Sequence, residues 1–168
     1  MDNIIVEDTN IFIDLLSIDL LEICFRLPVR IHTTEFSISE LSEDQQSIVL
    51  DFVKQDRLYL KEFSAHEVSL ITEHQIVQTN NVSFTDCSVW LYAKWNGYRL
   101  VTGDKKLRRS AEQDGVVVSG ILYLFDLLVK HGLLTPPAAA EKLSALYVQN
   151  RRLPKTEVEN RINEWSKR

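Results

Sequence analysis

Four carboxylates in this sequence stand where a fold could gather them. Asp8 follows the apolar run Ile4-Ile5-Val6 and Glu7 and leads into Thr9-Asn10; Glu40 precedes Leu41; Asp86 ends Phe84-Thr85-Asp86; Asp104 follows Thr102-Gly103. Carboxylates brought into one cleft repel, so such a cluster persists only with bound cations or with protons held at raised pKa. A donor set of hard oxygens, without His or Cys, suits Mg²⁺ or Mn²⁺. An ion of that kind can activate a water, hold a phosphate and stabilise the leaving oxygen of a phosphodiester displacement. Each acid has a plainer use as well. Asp8 and Asp104 can cap the helices that follow them, Asp86 stands three residues after Ser83 as in a capping box, and Glu40 alone reads as a solvated helix residue. Taken singly the four are ambiguous; their joint order is the signal.

The elements that must position them alternate in type. Ile4-Ile5-Val6 predicts a buried strand feeding an amphipathic helix over 10–26, which stops before Pro28. Val29–Thr33 alternates as a second strand; helix follows from Thr34 to Leu41 and continues over Glu43–Gln55. Arg57–Lys61 is a third strand, and the capping box Ser64-Ala65-His66-Glu67 opens a helix to about Thr79. Asn80-Asn81 is a loop, Ser83 starts the next helix, and Gly97 ends it. Tyr98–Thr102 is a fourth strand, Lys105–Gln113 a short basic helix closed by Gly115, and Val116-Val117-Val118 a fifth strand. Beyond Gly120 only helices are expected: 120–131, 138–149 behind Thr135-Pro136, and a last one opened by Thr156-Glu157-Val158-Glu159 and ending at Trp165. This alternation implies an α/β fold with a mostly parallel, doubly wound sheet. Ligands bind beyond the carboxyl ends of the strands in such sheets, and Asp8 and Asp104 fall there.

Composition narrows the class. A chain of 168 residues, 45% hydrophobic, suits one domain or a domain with an appendage. A net charge of −5 is not the basic footprint of a duplex-DNA reader, although bound divalent cations can supply the charge that phosphates need. Cys24 and Cys87 form no C-x-x-C pair and read as reduced, buried thiols. Met1-Asp2-Asn3 shows no signal pattern, and no apolar run approaches the roughly 18 residues of a membrane span. The expectation is a soluble, cytoplasmic protein.

Asp8-Thr9-Asn10 after its strand, Glu40-Leu41, Phe84-Thr85-Asp86 and the run from Leu100 through Thr102-Gly103-Asp104 to Lys105-Lys106-Leu107 together resemble the PIN-domain family, over about residues 3–120. The resemblance implies a three-layer α/β/α fold with a five-stranded, mostly parallel sheet. It implies an RNA-cleaving enzyme using Mg²⁺ or Mn²⁺, in many members the toxin of a toxin–antitoxin pair and commonly a homodimer. Carried over residue by residue, Asp8, Glu40, Asp86 and Asp104 become the catalytic quartet, with Asp8, Asp86 and Asp104 on the metal and Asn10 and Thr102 as accessory hydrogen-bonding groups. Glu35 lies close enough in sequence to compete with Glu40 for the second position. Lys105, Lys106, Arg108 and Arg109 would track the RNA backbone, or form an ordinary solvated face. The chain divides on this reading into 1–120, the nuclease domain, and 121–168, a helical extension that resembles the longer members of the family. The opposing expectation is a binding module whose site is weak or latent.

Other chemistries fit less well. His32, His66, His74 and His131 have no metal-ligand spacing, and Trp90, Tyr92, Trp95 and Tyr98 read as packing rather than base stacking. A phosphoryl-receiving domain needs an aspartate after the third strand, where Lys61-Glu62-Phe63 stands; a haloacid-dehalogenase-like phosphatase needs Asp-x-Asp, where Asp8-Thr9-Asn10 stands. No G-x-G-x-x-G or P-loop is present.

Overall fold

The computed structural model describes residues 3–78 and 80–168. Met1 and Asp2, read above as part of a start without a signal pattern, and Thr79, the expected end of a helix, lie outside the described residues. In chain order the elements are β1 (Ile4–Glu7), α1 (Thr9–Ser17), α2 (Leu21–Cys24), β2 (Arg30–Thr34), α3 (Glu35–Ser39), α4 (Glu43–Lys54), β3 (Leu58–Lys61), α5 (Ala65–Val77), α6 (Phe84–Asn96), β4 (Arg99–Val101), α7 (Lys105–Gln113), β5 (Val118–Ser119), α8 (Ile121–Lys130), α9 (Pro136–Gln149) and α10 (Lys155–Ser166).

The strands pair in parallel in the order β3-β2-β1-β4-β5. The chain winds outward from β1 through β2 to β3, then returns to β4 and winds outward to β5. That reversal puts the switch point between β1 and β4, where a crevice opens beyond their carboxyl ends. Glu7 stands opposite Val101 in the register. The Asp8 N–H donates to the Val101 carbonyl at 3.0 Å and the Thr102 N–H to the Ser119 carbonyl at 3.0 Å. Asp8 and Thr102 therefore leave the sheet at the same level.

Alternation along the strands gives each face its own core. Ile5, Ile31 and Val101 meet the helices α1, α2, α4, α8, α9 and α10, through side chains such as Phe12, Phe52, Phe125 and Leu143. Val6, Leu100 and Val118 meet α5, α6 and α7, through Ile71, Trp90 and Leu107. The result is the expected three-layer α/β/α fold. The C-terminal helices join the first face: Trp165 of α10 stacks on Phe125 of α8 at 6.2 Å and is itself buried.

Several boundaries differ from the sequence expectation. The helix expected over 10–26 breaks at Asp19, whose φ of 57° is left-handed. Its neighbours make the closing bonds, Asp19 N–H to Leu16 O and Leu20 N–H to Leu15 O; aspartate is among the few residues that tolerate this conformation. The helices α3 and α4 are not continuous, because Ser42 opens α4 with a complete capping box to Gln45. The fifth strand is Val118–Ser119 rather than 116–118. Val116 instead closes α7, its N–H bonding Ala111 O after the left-handed Gly115. The last helix starts at Lys155 behind Pro154, with no side-chain cap, one residue before the expected Thr156.

Candidate active site

Asp8 ends β1 and caps α1, its Oδ1 accepting the Thr9 N–H at 2.8 Å. Its Oδ2 accepts the Thr102 hydroxyl at 2.8 Å. The residue is only 2% exposed. Burial first, and the charges of Asp86 and Asp104 after it, push its pKa up to about 7 against the opposing pull of its hydrogen bonds. Thr102 has a second role: its hydroxyl oxygen accepts the Asp104 N–H at 3.1 Å. One hydroxyl thus ties together the ends of β1 and β4 across the switch crevice.

The other acids arrive from helix termini. Asp86 completes the capping box with Ser83, its Oδ2 taking the Ser83 N–H at 3.2 Å. Burial raises its pKa, and the nearby charges of Asp104 and Glu40 add to that. Asp104 caps α7, with Oδ1 accepting the Leu107 N–H at 2.9 Å. Glu40 is the C-cap of α3 rather than an interior residue, exposed, with Oε2 3.4 Å from the Thr9 hydroxyl. Glu35 is engaged elsewhere: its Oε1 accepts the Phe63 N–H at 2.9 Å, pinning the end of β3. All three caps foreseen for Asp8, Asp86 and Asp104 form, and they leave Asp86 and Asp104 near enough for their charges to act on Asp8. A cap occupies one oxygen; Asp86 Oδ1 and Asp104 Oδ2 accept no hydrogen bond among the described residues. This donor set fits a hard divalent cation in kind and charge. Among the described residues, however, no three such groups already form a metal cage.

A family model described as DUF3368, PIN domain, matches residues 4–167. The chain belongs to the PIN-domain family. Its fold is shared with PAE2754 from Pyrobaculum aerophilum, a crystal structure 16% identical in sequence, over 77% of this chain and 99% of that one, with a TM-score of 0.50. FitAcB from Neisseria gonorrhoeae is also similar, at 14% identity over 68% of this chain and 95% of that one, TM-score 0.41. No curated protein matches the sequence.

The remaining residues of this PIN domain divide clearly. Asn10 is exposed on the first turn of α1 and makes no side-chain hydrogen bond among the described residues. Lys105, Lys106, Arg108 and Arg109 are exposed on α7, with Arg108 Nε held by Glu112 at 3.0 Å. His32 is core: its Nδ1 lies 2.7 Å from the Tyr92 hydroxyl, and burial holds its pKa down at about 4. Trp90 and Tyr92 are buried as expected, whereas Trp95 is 40% exposed. Thr9, not a candidate by sequence, donates its hydroxyl to Ser37 O at 3.0 Å and meets Glu40. Thr34 and Ser88, likewise not candidates, are bonded at 3.0 Å and brace β2 against α6. Their position inside or beside the acidic motifs was the available signal for both. Among the described residues no helix is long and apolar enough to cross a membrane.

Proposed function

We propose that this PIN domain is a metal-dependent endoribonuclease that hydrolyses RNA phosphodiester bonds at Asp8, Glu40, Asp86 and Asp104 with Mg²⁺ or Mn²⁺. One observation carries the reading. A carboxyl nearly removed from water sits at the switch crevice, aimed by a threonine hydroxyl; burial chiefly pushes its pKa up to about 7, and the charges of two further carboxylates add to that. Such an arrangement is unfavourable as a set of bare anions and becomes favourable when a cation shares it.

The ion, when bound, supplies a Lewis acid for the phosphate and a water of lowered pKa. Asp8, Asp86 and Asp104 would hold it. Thr102 keeps Asp8 turned toward the cleft and fixes the start of α7 through the Asp104 N–H. Glu40, at the exposed side, takes a proton from the attacking water as its oxygen bonds to phosphorus. The ester P–O bond breaks, and the leaving oxygen takes a proton from solvent. Asn10 donates to a non-bridging phosphate oxygen, and Lys105, Lys106, Arg108 and Arg109 follow the chain of phosphates.

The test is cleavage of single-stranded and structured RNAs in Mn²⁺, Mg²⁺ and chelator, by wild type and by a folded Asp8→Asn/Asp104→Asn double variant. Metal-dependent cleavage lost in the variant is expected; equal or absent cleavage in both overturns the mechanism. The absence of a ready-made metal cage favours a second reading, a binding module with a latent site. A Mn²⁺ titration separates the two, since only the nuclease reading requires binding that the double variant loses. As a toxin the chain would also pair with an antitoxin protein and form a homodimer; a small DNA-binding protein encoded beside it, and the mass of the purified chain in solution, test those two expectations.

A further inference from the structure

The crevice does not end at the acids. A cavity of about 270 Å³ runs on from Thr102, Gly103 and Asp104 toward the turn before α10, so that its far wall comes from the C-terminal extension. Lys105 and Arg108 stand on the α7 side, Arg152 and Glu157 on the tail side, and Leu122 and Leu153 line it between them. We propose that this cavity seats one nucleotide of the RNA, adjoining the bond to be cut, with Arg152 holding its phosphodiester. The inference rests on the nuclease reading and assigns the extension a share in substrate binding.

Size and charge both point to that occupant. The volume lies near the lower end of ligand pockets, roughly 300 Å³ upward, which suits one nucleotide. The three cations Lys105, Arg108 and Arg152 line the cavity with Glu157 and with Asp104, which the nuclease reading assigns to the ion, so the wall is net positive and suits the phosphodiester of a strand. Arg108 is tied at Nε to Glu112 on the solvent side, but that exposed pair is worth little. Its Nη1 reaches 3.9 Å from where a Cβ on Gly120 would lie. Leu122 and Leu153 offer an apolar surface to ribose or base. Among the described residues α8 and α10 both begin here without a side-chain cap; in α8 the Tyr123 N–H already bonds the Gly120 carbonyl at 3.1 Å, and the N–H groups ahead of it remain available to an acceptor.

Gly120 keeps this cavity open. Its φ of −104° is accessible to any residue, and an added Cβ would meet only Thr102 O at 3.7 Å and Arg108 Nη1 at 3.9 Å. The backbone does not demand glycine there. A larger side chain would instead fill the space a nucleotide would use, leaving the acids untouched.

The experiment is equilibrium binding of a labelled single-stranded RNA oligonucleotide to the full chain in chelator, where no cleavage competes, across a range of salt. Arg152→Ala should weaken binding about tenfold and lower the salt slope by about one. Gly120→Leu should weaken it about as much with the slope unchanged. Lys130→Ala, a surface cation on α8 outside this cavity, should bind as wild type. If both cavity variants bind like wild type while wild type binds and cleaves, the cavity assignment falls and the nuclease reading stands. If wild type neither binds nor cleaves RNA, both fall. Thermal unfolding checks that each variant is folded; should Gly120→Leu fail to fold, the affinity and salt slope of Arg152→Ala decide alone.

Discussion

Glu7 and Asp8 are neighbours in the chain and occupy opposite worlds. Glu7 shares the face of Ile5, is fully buried, and neither of its carboxyl oxygens has a hydrogen-bond partner among the described residues. Burial keeps the Cys24 thiol from ionising, and the charge of Glu7 adds to that. Asp8 is almost as buried, yet it receives the Thr9 N–H and the Thr102 hydroxyl and feels Asp86 and Asp104. Both carboxyls are raised, Glu7 to about 8 by burial alone and Asp8 to about 7 by burial, neighbouring charge and opposing hydrogen bonds together. A raised pKa therefore does not mark a site by itself. What separates the two is company: donors and further acids beside Asp8, hydrocarbon around Glu7.

The sharpest way to test that contrast is at Asp8. Asp8→Asn keeps the shape and cap of the side chain but removes the anion, and metal-dependent RNA cleavage should fall by about a thousandfold or more with the fold intact by circular dichroism. Mn²⁺ affinity of the metal-free protein should also fall about tenfold per pH unit below about 7, where a proton competes with the ion for Asp8, and level off above. An affinity that stays flat from pH 5 to 8 would remove Asp8 from the metal site.

Thr102→Val should have the next largest effect. It preserves volume while deleting the hydroxyl that bonds Asp8 and accepts from Asp104. Losing a partner that orients metal ligands typically lowers affinity or activity by about 10–100-fold. Because that hydrogen bond lowers the Asp8 pKa, the midpoint of the pH profile of Mn²⁺ affinity should also move upward, a change that simple loosening would not produce. Smaller again, Glu40→Gln should slow cleavage about tenfold without changing stability, since Glu40 is exposed. Glu35→Gln should leave cleavage near wild type and destabilise by about 1 kcal/mol through the strained or lost bond to the Phe63 N–H. The reverse pattern would exchange the two glutamates.

What could be read beforehand was what local chemistry dictates. The capping boxes at Ser64 and Ser83 and the stop at Gly97 are short-range signals, and all three form. The β1 and β4 strands and the sheet's parallel order followed from apolar runs separated by helices. The break at Asp19 was invisible because the apolar period continues through Leu15, Leu16, Leu20 and Leu21, with no glycine or proline to mark it. The fifth strand offered three equal valines, and only pairing with Leu100 and Val101 chose Val118, leaving Val117 57% exposed. Around the site, acids adjoining strands were legible, but Glu35 and Glu40 could be told apart only once β3 lay beside α3. Arg152 carried no signal at all; the docking of the extension brings it to the crevice beside Asp104.

The smallest effect on activity, and the clearest complement to Asp8, belongs to Glu7. Glu7→Met replaces an orphaned carboxyl by an apolar chain of similar length, and cleavage should change by less than about threefold. Stability should rise by about 1–3 kcal/mol at acid pH, the usual penalty of an unsatisfied buried polar group. The gain should grow with pH. Folded wild type holds the Glu7 proton up to about pH 8, whereas the unfolded chain releases it near the ordinary 4.5. The folded state therefore binds the extra proton between those values, and wild-type stability declines as pH rises through that window. The variant has no such group and keeps the contributions common to both proteins, a decline from Asp8, Asp14 and Asp86 and an opposing rise from His32 and His74. Denaturant unfolding at pH 5 and pH 8 should show the difference between variant and wild type widening by a few kcal/mol. A difference that stays constant, or a loss of cleavage comparable to that of Asp8→Asn, would mean that Glu7 is not isolated in the core and that the two faces of β1 are coupled.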